Sequence, residues 1–503
     1  MKAPSRVLSK SKLLSYRQCH KRLWLEVHRP KLREDSGRTE ASFVVGRAVG
    51  EMAQRLYDPA GTGTLVDAQT DGIDIAVRQT RGLLESPRPI FEAGFSTDAA
   101  RAFADVLLPV RKAGKKAWRM VEVKSSTEVK DYHLEDAAIQ AHVAREARVP
   151  LDSISIAHID NQWVYPGNDK YDGILKEVDV TEEAFGLRSE VKSWIAEAQQ
   201  IVRKKTEPAI STGKHCSKPF ECGFYEYCTS KEKQPKYPAA WLPDVRTTAL
   251  KNFIESKGVD DLRKVPDTLL NDRQRRVKAH SLSGVTFFDA KGAKADLAPH
   301  KPPAYFLDFE TINFAIPVWK GMRPYRQVPF QFSVHRLSKS GDLDHESFLD
   351  LSGNDPSKVF AEALVAACGE RGPVFVYNAG FERARIKELA LRMPRQRKRL
   401  EDINNRVVDL LKIARERYYH PAQEGSWSLK AVLPTIAAIT YDALEGVQDG
   451  GAAMEAYLEG ISPSSGPERK KQLGEQLLAY CKQDTYALVK VWQRFAGRQD
   501  LSL

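Results

Sequence analysis

At 503 residues the chain exceeds one ordinary hydrophobic core, and a prior of roughly 100–200 residues per domain points to about three units. Apolar residues at 42% and charged residues at 28% exclude disorder, and no stretch approaches the ~20 apolar residues of a membrane span or the apolar core of a leader peptide, so no membrane association and a cytoplasmic protein are expected. The formal charge of +11, with 13 Lys/Arg against 6 Asp/Glu in the first 60 residues, fits a polyanionic partner, although a merely soluble basic surface would look the same.

In chain order, the first chemical residue is Cys19 in "SKLLSYRQCHKRLWL", followed by the helical pattern "GRAVGEMAQRL", which holds Gly50. "PIFEAGF" reads as a strand bearing Glu92. "ARAFADVLLPVRKAGKKAWRMVEVKSS" reads as two strands joined by a Gly/Lys turn, with Asp105 opening the first and Glu122-Val123-Lys124 in the second. Strand alternation puts Glu122 and Lys124 on one face. Two converging carboxylates can hold Mg²⁺ or Mn²⁺, and a lysine beside them can orient or help deprotonate a water for attack on phosphorus. Taken alone, Glu-x-Lys on a strand is more often a solvated surface pair. Gln140, on the predicted helix "LEDAAIQAHVAREA", can face the same place. In this order Glu92, Asp105, Glu122, Lys124 and Gln140 resemble the PD-(D/E)XK fold of RecB-like nucleases over about residues 8–230. The resemblance implies a restriction-endonuclease-like cleft with metal at Asp105 and Glu122. Gly50 stands where many such enzymes have a metal-binding His, and Ala144 where their Q-x-x-x-Y helix has Tyr, so a second metal lacks its ligand.

Three more cysteines, Cys216, Cys222 and Cys228, lie in "KHCSKPFECGFYEYCTS" with five residues between successive ones, while Cys368 and Cys481 are scattered. In a reducing compartment such a group points to metal rather than disulfides. With Cys19 it can enclose either a tetrahedral zinc or a 4Fe-4S cluster, and spacing does not separate them. One cysteine before the nuclease core and three after it is similar to the iron–sulfur staple of CRISPR-associated and AddB-type RecB-like proteins. That resemblance implies 4Fe-4S in a structural role.

"KEKQPKYPAAWLPDV" reads as a linker because proline disfavours helix, giving a boundary near 233–245. Residues 246–283 read as a small helical connector with the basic run Arg273, Arg275, Arg276 and Lys278. "AYFLDFETINF" then opens a new α/β unit as an apolar strand whose Asp308 and Glu310 project from one side. The strand "PVFVYN" leads to Asn378, Phe381 and Glu382. In the long helix "QLGEQLLAYCKQDTYALVKVWQRF", Tyr480 and Asp484 stand four apart on one face. Tyr480 can orient a water while Asp484 holds metal, since two ions about 4 Å apart need several shared carboxylates.

The series D-x-E, N-x-x-F-E, Y-x-x-x-D, with "VVDLLKIARERY" and "SLKAVLP" between, resembles the DEDDy branch of the DnaQ-like, RNase H-fold exonucleases over residues 303–495. It implies metal at Asp308, Glu310, Glu382 and Asp484 and a water oriented by Tyr480. Glu382 replaces the usual Asp, and Asp409 is the competing fourth ligand. The predicted architecture is therefore α/β: a PD-(D/E)XK domain with an Fe-S cluster over 1–232, a linker and helical connector over 233–300, and an RNase H-like exonuclease domain over 301–503. As a whole it resembles a bacterial family that joins a domain of unknown function to a RecB-like nuclease.

The function expected is metal-dependent hydrolysis of nucleic acid, DNA more than RNA, in repair or defence. The second half would act 3′→5′ and the first would cut strands. The alternative is a degenerate first half that only grips nucleic acid for a single C-terminal exonuclease. No G-x-x-x-x-G-K-[ST] motif is present, so unwinding would fall to a separate helicase or defence-system partner.

Overall fold

The computed structural model describes residues 6–498 of an α/β protein with two mixed sheets of seven and five strands. The chain falls into two units: the first runs to Lys233 and includes Phe314–Tyr325, and the second comprises Gln234–Asn313 and the chain from Arg326 onward. The connector thus groups with the second unit, and Phe314–Tyr325, assigned by sequence to the C-terminal domain, with the first.

The first unit's strands are β1 (Leu8–Ser9), β2 (Thr64–Leu65), β3 (Ile90–Ser96), β4 (Ala100–Lys112), β5 (Lys115–Lys124), β6 (Leu151–Ile159) and β7 (Leu175–Asp179). They run in the order β2-β3-β4-β5-β6-β7, with β1 added in parallel to β4. The β4–β5 turn is Ala113-Gly114, both at positive φ, the twist a two-residue hairpin requires. Ala100, Ala102 and Ala104 are buried on alternate positions of β4, and Ala137, Ala138, Ala141 and Ala144 are buried on helix Asp131–Glu146. Both sets belong to one core cluster, and small residues on both surfaces let a helix seat close to a sheet. Phe314–Tyr325 joins this unit through paired bonds between Tyr165 and the Gly321–Met322 backbone, each 2.8 Å. Its Ala315 is buried with Val49, Met52, Ile159 and Ile174.

The second unit adds β8 (Phe287–Phe288), β9 (Ala304–Ile312), β10 (Val328–Leu337), β11 (Leu343–Leu349), β12 (Val374–Val376), β13 (Val407–Asp409) and β14 (Tyr418–Tyr419). Its main sheet is ordered β11-β10-β9-β12-β13, so β9 is central. β10 runs antiparallel to β9, with Ser333 opposite Asp308 and Gln331 opposite Glu310, and β12 runs parallel. Alternation along β9 separates two cores. Leu307 and Phe309 pack with Phe332, Phe360 and Leu364, whereas Phe306 packs with Phe375, Trp492 and Phe495. The second group brings helix Pro467–Ala496 over the face that Phe306 shares with Asp308 and Glu310. The connector supplies helices Thr248–Ser256 and Asp272–Ser283. Among the described residues no helix is long and apolar enough to cross a membrane.

Candidate active site and a second carboxylate cluster

In the second unit, β9 delivers Asp308 and Glu310 and the long helix delivers Asp484. One oxygen from each lies within 4.8 Å of the other two, with Asp308 and Glu310 partly buried and Asp484 buried. Asp484 Oδ1 accepts a 2.5 Å hydrogen bond from Tyr441 Oη, and Tyr480 also hydrogen-bonds to Asp484. The Lys430 ammonium sits 5.2 Å from the Tyr441 ring and 5.7 Å from the Tyr480 ring. Among the described residues, no Lys or Arg forms an ion pair with the three carboxylates. Burial and then the charge of Asp484 push Glu310 up to about 8, partly offset by Lys430. Burial lifts Asp484 to about 6 against the lowering hydrogen bonds from the two tyrosines. Asp308 is pushed well above its ordinary range by burial and then by Asp484, Glu310 and Glu382.

Glu382 lies outside this trio, in the first turn of helix Ala379–Arg392. It is buried, its Oε2 has no hydrogen-bond partner, and burial pushes it up to about 8. Asn378, which caps that helix, holds φ at +76°, a conformation that Asn tolerates better than most residues. Asp409, the competing ligand, caps helix Leu410–Arg417 and accepts from the amides of Leu411 at 2.9 Å and Asn378 at 3.1 Å. Divalent metal fits here: three carboxylates converge without matching cations, and an orphaned carboxylate oxygen lies in electrostatic reach. Tyr441 and Lys430 carry no motif signal, because Tyr441 lies in an aperiodic loop and Lys430 is one lysine within "SLKAVLP".

The first unit presents a different cluster. Glu122 is 1% exposed. Its Oε1 lies 2.8 Å from Lys10 Nζ and 2.7 Å from Lys124 Nζ, and its Oε2 accepts from Gln140 Nε2 at 2.5 Å. Both lysines also reach Asp136, Lys124 at 2.5 Å and Lys10 at 3.1 Å. Asp105 Oδ2 accepts from the Val123 amide at 2.6 Å. Glu92 has φ of +53°, an uncommon and strained value for a non-glycine residue. Burial opposes ionisation of Glu122, yet Lys10 and Lys124 hold its carboxyl below the usual range. Asp105 and Glu92 are instead raised, first by burial and then by Glu122. The residues expected from sequence do gather, but Lys10 and Asp136 were not anticipated. These carboxylates do not form a converging set of metal ligands; both Glu122 oxygens are taken by ammonium and amide donors and Asp105 Oδ2 by a backbone amide, while Asp136 Oδ1 has an ion-pair neighbour in Lys10 but no hydrogen bond. Ala144 is fully buried, and Gly50 has open space where a Cβ would stand.

Cys19 links helices Lys10–Gln18 and His20–His28, Cys216 ends a short turn and Cys228 lies in helix Tyr225–Ser230. All six cysteines are free thiols. Cys19, Cys216, Cys222 and Cys228 line one pocket with Leu25, Ile210 and Phe224. Burial raises the Cys216, Cys222 and Cys228 thiols, and each is raised further by neighbouring cysteines. No three of the sulfurs lie within 4.8 Å of one another.

Several of the basic residues of the N-terminal segment and of the 273–278 run are engaged within the chain. Arg17 pairs with Glu135 at 2.7 Å, Arg33 with Asp35 at 2.8 Å, Arg275 with Asp272 and Lys278 with Asp267 at 2.7 Å. Exposed pairs of this kind are weak enough to exchange for a phosphate.

A sequence-family profile described as Domain of unknown function (DUF2779) matches residues 305–428, spanning Asp308, Glu310, Glu382 and Asp409. A search among curated proteins returns no match to the chain.

Proposed function

We propose that the protein is a divalent-metal-dependent nuclease whose main phosphodiester-cleaving centre lies in the second unit and acts 3′→5′ in the manner of the DEDDy exonucleases. The observation that carries this reading is the convergence of Asp308, Glu310 and Asp484 within 4.8 Å, with Tyr480 one helical turn before Asp484. The central place of the strand that carries Asp308 and Glu310 in a mixed five-stranded sheet supports the RNase H-like resemblance. Bound Mg²⁺ or Mn²⁺ supplies Lewis-acid polarisation and a water acidified toward neutrality. Asp308, Glu310 and Asp484 would hold it. Tyr441 and Tyr480 fix the Asp484 carboxylate by hydrogen bonds, and the charge of Lys430 favours the ionised forms of Glu310 and Asp484. Tyr480 is the group available to orient the attacking water.

The gathering of Asp105, Glu122, Lys124 and Gln140 supports a RecB-like ancestry for the first unit. The saturation of Glu122 by two ammonium groups and an amide favours a role in gripping nucleic acid over an independent cutting centre. For the four cysteines we propose a structural 4Fe-4S cluster. The four cysteines line one pocket, and the resemblance to the iron–sulfur RecB-like proteins, rather than the cysteine geometry, favours the cluster over zinc. Iron in stoichiometric amount, with visible absorption lost in Cys222→Ser, is the expected result; zinc alone would refute it.

The function is tested with end-labelled single- and double-stranded DNA and RNA in Mg²⁺, Mn²⁺ or EDTA. Metal-dependent release of mononucleotides from 3′ ends that is lost in Asp308→Ala supports the proposal. A purified wild-type protein inactive on every substrate, or equally active after that substitution, overturns it.

A further inference from the structure

The cluster at Glu122 is closed by a residue that belongs to no expected motif. Lys10 opens helix Lys10–Gln18, and its backbone is held from both sides. Before it, Leu8 and Ser9 pair with Ala100 and Arg101 of β4; after it, the Ser9 side chain caps the helix by accepting from the Lys12 amide at 3.3 Å. This places the ammonium 2.8 Å from Glu122 Oε1 and 3.1 Å from Asp136 Oδ1. Lys124 completes a ring, 2.7 Å from the same Glu122 oxygen and 2.5 Å from Asp136 Oδ2. Two cations and two carboxylates alternate, and their charges cancel. Two ammonium groups at one carboxylate oxygen bring the formal charge of one divalent ion, at the longer distances of 2.7 and 2.8 Å.

Mg²⁺ needs carboxylate oxygens directly at about 2.0–2.1 Å in near-octahedral geometry. An ammonium at hydrogen-bond distance stands in that approach. We propose that Lys10 is a built-in cation holding the place of a divalent ion at Glu122 and Asp136, so that the first unit at rest takes no Mg²⁺ or Mn²⁺ at these carboxylates. Entry of metal requires the Lys10 ammonium to withdraw, which its flexible four-carbon stem allows without moving the backbone. The inference concerns metal binding and stands whether or not the second unit cleaves phosphodiesters.

The test uses the full chain with Asp308→Ala and Asp484→Ala, which removes the competing centre, and measures Mn²⁺ binding by electron paramagnetic resonance and equilibrium dialysis. In this background the proposal expects no Mn²⁺ whose binding depends on Glu122. Adding Lys10→Met is expected to tighten Mn²⁺ binding by about tenfold or more, equivalent to about 1.4 kcal/mol, and a further Glu122→Gln should abolish the gain. If the background protein already binds one Mn²⁺ that Glu122→Gln removes, or if folded Lys10→Met protein gains no affinity, the proposal is overturned. Should Lys10→Met fail to fold, the background comparison with and without Glu122→Gln, which leaves Lys10 untouched, still decides.

Discussion

The two carboxylate clusters answer one electrostatic problem in opposite ways. Around Glu122 and Asp136 the chain supplies its own cations, Lys10 and Lys124, at 2.5–3.1 Å. Around Asp308, Glu310 and Asp484 it supplies two tyrosine hydroxyls to one carboxylate and a lysine held over aromatic rings. In the first, the Glu122–Asp136 pair is matched by two lysines; in the second, no lysine or arginine among the described residues forms an ion pair with the three carboxylates. Carboxylates in a family-like order therefore do not by themselves identify a metal centre; the distribution of internal cations is what distinguishes the two clusters.

The largest expected difference is in rate. Loss of a metal-holding carboxylate removes both nucleophile activation and leaving-group stabilisation, so Asp308→Ala should lower 3′-end mononucleotide release by on the order of 10³-fold or more. Asp105→Ala should leave that release nearly intact. Silence of Asp308→Ala together with a dead Asp105→Ala would reverse the comparison.

Stability sharpens it further, because the two clusters should respond with opposite sign. Glu122→Ala leaves two lysine charges sharing the single Asp136 carboxylate in a largely buried ring, and removing one partner of a buried pair typically costs about 3–5 kcal/mol. Asp308→Asn in metal-free protein relieves like-charge crowding and should stabilise on the order of 1 kcal/mol. Denaturant titration in EDTA measures both, and a shared sign would break the contrast.

A smaller effect lies in pH. Glu310 rises from an ordinary 4.5 to about 8 in the folded state. The folded protein then binds the proton more tightly than the unfolded chain does, so this contribution to stability is lost as pH rises through that interval. Metal-free wild type should therefore melt progressively lower from about pH 4.5 to 8 than Glu310→Gln does, and saturating Mn²⁺ should close the gap. Parallel pH profiles for the two proteins would remove Glu310 from the cluster. Smallest of all, Tyr441→Phe and Tyr480→Phe keep every carboxylate, and each should slow turnover by about tenfold, well short of Asp484→Ala.

Local rules made much of this legible. Alternation along a strand put Asp308 beside Glu310 and Glu122 beside Lys124, and helical spacing put Tyr480 beside Asp484. Long-range pairing escaped those rules. Lys10 meets Glu122 across 112 positions, and in sequence it is one of many N-terminal cations. Tyr441 lies 43 positions before Asp484, in a loop with no period to read. Asp409 and Glu382 are not ranked by motif alone, because Asp409 gives one carboxylate oxygen, Oδ1, to two backbone amides, a geometry set by how β13 ends.

The return of Phe314–Tyr325 to the first unit gives the molecule an assembly order that differs from its reading order. During synthesis at about 5–20 residues per second, the first unit waits for a piece encoded beyond the opening strand of the second. A protein cut after Lys233 lacks Ala315 and the Tyr165 partners. Dissection of the molecule into working halves therefore has to graft that segment onto the first, since no single cleavage separates the two units.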